Sequence, residues 1–314
     1  VARFAFFSSL LELQEENQYL LRPITVLTTL FVLMACAVGQ AFAAQEKSSA
    51  PTQEKTPPPA QQKTPTPGQE KKPLPGQEKI LTAEQVAETA IVYYGSRGVL
   101  DQIRRNGIER GRITRLTADG RTEEATYERR FARGADSTKD KIRMDQKMPT
   151  MEYSFVYGEG RMWGIINGAT FTPRQEAAAS FMSQHWHSID ALLRYKENGS
   201  TLSYVGKEKK KGLDFFVLDL TDKEKRGTRY YISARTLRIL WLEYEEPSEA
   251  GSPVIYTRTY HDYRYPQNTL LPYRSVLLAA GKQVQETRIL SVTFGVKLED
   301  AVFQNPEAQA GTSP

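Results

Sequence analysis

A single cysteine, Cys36, stands among 314 residues, so the chain can form no internal disulfide and no multi-cysteine metal site. Histidine is nearly as scarce, with three in total. His185 and His187 are two apart, which on a helix turns them about 200° from one another. His261 is remote in sequence, so no metal site is expected. Charge of one sign is also in short supply. The 42 basic residues exceed the 37 acidic ones by only five, and they are scattered rather than gathered into the stripe that nucleic acid requires. No nucleic-acid partner is expected. Apolar material is nonetheless plentiful at 39%, enough for a sizeable core, and sixteen tyrosines with thirteen phenylalanines favour β-structure over a helical bundle.

Only one long apolar run is present, residues 23–44, and it follows Arg22. Residues 1–22 read as an N-terminal extension or a misassigned start. Ala41-Phe42-Ala43 offers the small side chains that a signal peptidase pocket admits. Residues 23–44 are therefore a signal peptide or an uncleaved N-terminal anchor, since about 20 apolar residues just span a bilayer. Leu33-Met34-Ala35-Cys36 resembles the lipobox of bacterial lipoproteins. If it is used, Cys36 is the lipidation site and tethers the chain to a membrane; if not, Cys36 leaves with the signal. Residues 45–79 are rich in Pro, Lys, Gln and Glu, with Pro-Gly-Gln-Glu-Lys repeated at 67–71 and 75–79. Such a segment stays solvated and extended, a disordered linker between export signal and domain. Residues 307–314 read as a disordered tail.

The folded domain is expected over residues 80–306. Thr82 and Gln85 have the spacing of a capping box, and Gly95 ends the helix they open. From Gly107 onward the pattern changes to strands. Met151, Tyr153, Phe155 and Tyr157 alternate with a period of two, and the turns are too short for parallel crossovers. One helix interrupts the meander. Pro173–Lys196 contains no glycine and no further proline, and Phe181, His185, Ile189, Leu192 and Leu193 share one face of it. The count is about eleven strands with two substantial helices. A flat sheet of that size is roughly 50 Å across, and two helices, each about 10 Å wide, cover less than half of one face. The sheet must curl or leave apolar surface in water. A mainly β fold follows: a curled antiparallel half-barrel with helices over its concave face and a cavity beneath them.

No catalytic set assembles. Gly158-Glu159-Gly160 fits a hairpin better than a dinucleotide fingerprint. Gly95-Ser96-Arg97-Gly98 follows a helix rather than a strand, unlike a nucleophile elbow. Glu243, Glu245 and Glu246 read as a solvated strand end. Lys207–Lys211 and Asp222–Arg226 are charged hairpin tips, or contacts for an anionic membrane surface. No cofactor is expected, and the chain does not read as an enzyme.

Several short motifs carry a family resemblance. Tyr157-Gly-Glu-Gly-Arg-Met-Trp163 resembles the glycine hairpin and tryptophan of the LolA-like outer-membrane lipoprotein-sorting proteins, which are periplasmic lipoprotein carriers. Asp214–Leu220 followed by Arg229–Ser233 is similar to that family's paired central strands. Tyr260–Tyr263, Leu271-Pro272 and Ala301–Pro306 are similar to its C-terminal strands. Ser233 stands where the related turn has an aspartate, and Asn268-Thr269 where a glycine precedes Leu-Pro. The resemblance implies an eleven-stranded half-barrel, lidded by helices, whose hydrophobic cavity takes lipoprotein acyl chains. Arg143 is the candidate for the carriers' key arginine.

Together these readings point to an exported cell-envelope protein, periplasmic in a Gram-negative-type bacterium or tethered to a membrane facing the periplasm. The expected ligand is a lipid or lipoprotein acyl chain. Phe155, Trp163, Phe181, Ile189, Leu192, Phe215 and Trp241 are the expected apolar cavity wall. The alternative is an envelope regulatory or scaffolding protein that binds a protein partner with the same fold.

Overall fold

The computed structural model describes residues 81–305, apart from Ala118, Glu249 and Ala250. The N-terminal extension, the signal or anchor with Cys36, the linker and the tail lie outside the described residues.

Helix α1 (Ala83–Tyr94) opens with the anticipated capping box. The Gln85 N–H donates to Thr82 Oγ1 at 3.2 Å, and the Thr82 N–H donates to Gln85 Oε1 at 3.0 Å. Gly95, at φ 134°, ends it in a conformation that L side chains rarely adopt. Helix α2 (Ser96–Ile103) follows directly. Strands β1 (Asn106–Leu116), β2 (Thr122–Ala132), β3 (Lys141–Lys147), β4 (Glu152–Gly158), β5 (Arg161–Ile166) and β6 (Ala169–Phe171) then form an antiparallel meander. After α3 (Gln175–Trp186) and α4 (Ile189–Leu193) come seven more strands. These are β7 (Thr201–Lys210), β8 (Leu213–Thr221), β9 (Gly227–Ser233), β10 (Ile239–Glu246), β11 (Val254–Arg264), β12 (Leu271–Ala279) and β13 (Lys282–Phe294).

All thirteen belong to one sheet, in the order β6-β5-β4-β3-β2-β1-β13-β12-β11-β10-β9-β8-β7. The chain starts mid-sheet, runs out to one edge, crosses to the opposite edge and returns to close β13 against β1. The crossing segment contains α3 and α4. Laid flat, the sheet would be roughly 60 Å wide, whereas the two helices together rise only about 26 Å. Curling the sheet brings its edges within their reach.

Three expectations change. The strands number thirteen rather than about eleven, and the short β6, only three residues long, is the one that the sequence pattern did not mark. Strands β8 and β9 do pair, but next to the β7 edge rather than at the centre. The stretch Pro173–Lys196 is not one helix. It breaks at His187-Ser188, where Ser188 turns extended and its Oγ caps α4 by accepting from the Ala191 N–H at 3.3 Å. A serine oxygen competes with the helical ladder for backbone donors, so the chain turns without glycine or proline.

The helices bury two different parts of the concave face. Beneath α1 and α4, Leu218, Tyr230, Ile232, Ile239 and Leu242 are fully covered. Tyr94 anchors this region, its hydroxyl accepting the Ile239 N–H at 3.1 Å and donating to Tyr263 at 3.3 Å. Beneath α3, Phe155 sits among the rings of Tyr153, Phe171 and Phe181 at centroid distances of 5.4–6.4 Å. Packing between these two regions is incomplete.

Candidate functional site

That gap is a cavity of about 230 Å³, close to the ~300 Å³ lower end of ordinary ligand pockets. Strands β1–β4 and β11–β13 floor it, and α3 and α4 roof it. The period-two geometry of each strand chooses what it shows. Strand β3 turns Ile142, Met144 and Gln146 inward, and β4 contributes Phe155. Strand β1 supplies Glu109, Ile113 and Arg115, with Gly111 between them. A Cβ on Gly111 would lie 2.2 Å from the Arg288 carbonyl oxygen and 2.6 Å from the Tyr127 ring. The bare backbone there lets Tyr127 close in and donate to Glu109 Oε1 at 2.7 Å.

The apolar wall is interrupted by charge. At the end of β1 nearest α2, Asp190 of α4 accepts from Arg104 Nη2 at 2.9 Å and from Arg133 Nη2 at 2.5 Å. Burial alone would raise the Asp190 pKa, but the Arg104 and Arg133 charges prevail and hold the carboxyl well below its ordinary range. Midway along, Gln184 of α3 bridges the space. Its Oε1 accepts from Arg258 Nη2 at 2.8 Å and from Gln285 Nε2 at 3.2 Å. Towards the hairpin rim, Arg115 donates to Gln146 Oε1 at 2.6 Å. Arg115, Gln184 and Gln285 also border a second cavity of about 40 Å³, where burial raises the Glu246 pKa.

His187 stacks on Tyr244 at 4.0 Å and bonds Thr228 Oγ1 at 2.7 Å; burial lowers its pKa to about 4, leaving it neutral near pH 7. His185 lies 3.4 Å from Asp140, and His261 bonds Thr259. Among the described residues no cluster of three metal-ligating side chains forms. Glu243 and Glu245 point to the outer face, where Glu243 accepts from Tyr231, whereas Glu246 points inward.

Neither a protein-family model nor a curated protein sequence matches the chain. Solved structures do. A LolA superfamily protein from Nitrosomonas europaea superposes with a TM-score of 0.51 at 13% identity, covering 72% of this chain and 99% of its own. A domain from Vibrio parahaemolyticus, described as an outer membrane lipoprotein-sorting protein, gives 0.50 at 15%, covering 69% and 97%. A DUF1329 family protein from Desulfovibrio piger gives 0.52 at 13%, covering 72% and 98%. The chain has the LolA-like fold.

Within that LolA-like fold the seven anticipated wall residues separate. Phe155, Phe181 and Ile189 line the cavity. Leu192 is buried in the neighbouring core under α1. Phe215 and Trp241 lie on the outer face, packed with Val217 and Tyr231. Trp163 pairs across the ladder with Val156, one residue out of step with the inward-facing Phe155 and Tyr157. Arg143 also faces outward, bonding Asp145 at 2.8 Å and the Val302 carbonyl at 3.3 Å. The inward arginines are Arg104, Arg115, Arg129 and Arg258. Reading β2 with a period of two from Phe131 reaches Arg129 and Tyr127, but charge on both faces of that strand hides the pattern.

Proposed function

We propose that this protein is an exported, non-enzymatic binding protein of the bacterial cell envelope. It holds a lipid or lipoprotein acyl chain beneath α3, in outer-membrane lipoprotein or lipid sorting. It works in the periplasm of a Gram-negative-type bacterium, or tethered to a membrane that faces it. The supporting observation is the cavity itself, an opening between two well-packed regions with Ile113, Ile142, Met144, Phe155 and Phe181 on its walls. An acyl chain contributes about 0.8 kcal/mol per buried methylene, so ten of them give on the order of 8 kcal/mol before ordering costs. The LolA-like fold favours this reading, since a structural neighbour carries a lipoprotein-sorting description.

Met144 is half-buried at the cavity wall, and Met144→Trp fills the space. A fluorescent fatty acid titrated into both proteins is expected to bind the wild type, with affinity reduced at least ~10-fold in the variant. Equal binding by the two proteins would place the ligand elsewhere.

A further inference from the structure

We infer that the cavity takes a single-chain amphiphile with an anionic head, a carboxylate or phosphate ester, which enters head first and pairs with Arg104 at the closed end. This rests on the acyl-chain reading above and narrows it. The Arg104 side chain is only 6% exposed. Its Nη2 serves Asp190, yet Nε and Nη1 are buried without a hydrogen-bond partner. Unmade bonds on a buried cation are costly, and native interiors seldom keep them.

The charge around it is unbalanced in the same direction. Arg104, Arg115, Arg129 and Arg258 line the cavity against two carboxylates, Glu109 and Asp190, with Glu123 facing Arg115 from the adjoining cavity. Asp190 divides its charge between Arg104 and Arg133, and Glu109 accepts from Tyr127 while lying 4.0 Å from Arg129. An anion relieves both deficits, whereas a neutral oxygen accepts a bond and leaves the charge unbalanced. The orientation follows from the surroundings. Arg104 lies over the buried Phe294 ring, 5.5 Å from its centroid, beside the buried Phe131. At the opposite end of β1 the cavity reaches Arg115, next to Leu116, which is 45% exposed at the rim. Ile142, Met144, Phe155 and Phe181 line the space for the chain, and about 230 Å³ is scant room for two.

The test is displacement of a neutral naphthylamine fluorophore from the full-length protein at mildly alkaline pH, comparing hexadecanoate, hexadecyl phosphate, hexadecanol and inorganic phosphate. Either anionic amphiphile is expected to act at a concentration at least ~10-fold below that of hexadecanol, and the better of the two identifies the head. In Arg104→Gln this preference is expected to shrink to about twofold or less, with hexadecanol little changed. Acid and alcohol acting equally on the wild type, or a preference that survives Arg104→Gln, would overturn the inference and leave the acyl-chain reading standing. Hexadecanoate displaced by millimolar inorganic phosphate would also overturn it, marking a free-anion site. If none of the three amphiphiles acts, both readings fall together. Should Arg104→Gln not fold, the acid-to-alcohol ratio of the wild type decides.

Discussion

Arg194→Met is expected to lower the unfolding free energy by about 4 kcal/mol at neutral pH. Arg194 follows α4 and reaches across to the loop between β2 and β3. Its Nη1 meets both Asp140 oxygens at 3.0 and 2.7 Å, and its Nη2 donates to the Gly134 carbonyl at 3.0 Å. Both side chains are nearly closed to solvent, at 10% and 5% exposure. Methionine keeps most of the stem and removes the charge, so a carboxylate is left buried without its principal partner. Burial raises the Asp140 pKa, but His185 and Arg194 outweigh it and the net shift is downward. The wild-type contribution is therefore present above the ordinary aspartate value and lost as pH falls through the folded one. In the variant the carboxyl, left with the Gly134 N–H and His185, takes up a proton at higher pH, which relieves it. Chemical denaturation across pH should accordingly show a deficit that begins to shrink above about pH 4. A deficit independent of pH would mean that the stem, not the charge, ties α4 to the sheet.

Asp190→Asn is expected to cost about 3 kcal/mol, the smaller figure because the Asp190 side chain is 27% exposed. Here the groups left behind are two guanidiniums, Arg104 at 6% and Arg133 at 10% exposure, and neither can discharge itself by losing a proton. The pH signature differs for that reason. The folded carboxyl is held well below the ordinary aspartate value, so its contribution is complete above that value and declines only below it. The deficit should stay level from neutral pH down to about pH 4 and narrow beyond. A loss under about 1 kcal/mol, the scale of an exposed pair, would show that Asp190 does not organise this end of the cavity.

Local chemistry made much of this fold legible. The capping spacing of Thr82 and Gln85, the glycine stop at Gly95 and the alternation of Tyr153, Phe155 and Tyr157 are short-range signals, and each appears where the chain puts it. The helix break was not legible, because Ser188 carries no steric mark as glycine or proline does. Strand facing failed where apolar residues adjoin. Phe215-Phe216 and Leu240-Trp241-Leu242 fit either phase of a period-two pattern, and only the helices packed on Leu218 and Leu242 decide it. The polar end of the cavity is harder still. Arg104 lies between a helix and a strand, 86 residues from Asp190, and no spacing rule relates them. The shortage of helical cover could be read from element counts; the arginines within the resulting space depend on tertiary contacts alone.

The decisive measurement is the lipid content of the protein purified from a bacterial host without detergent, by organic extraction and mass spectrometry. About one acyl-chain equivalent per protein chain is expected, falling sharply in Met144→Trp. A lipid-free protein that also ignores a fluorescent fatty acid would contradict the account, and recovery of an envelope protein partner in place of lipid would transfer the fold to the scaffolding role.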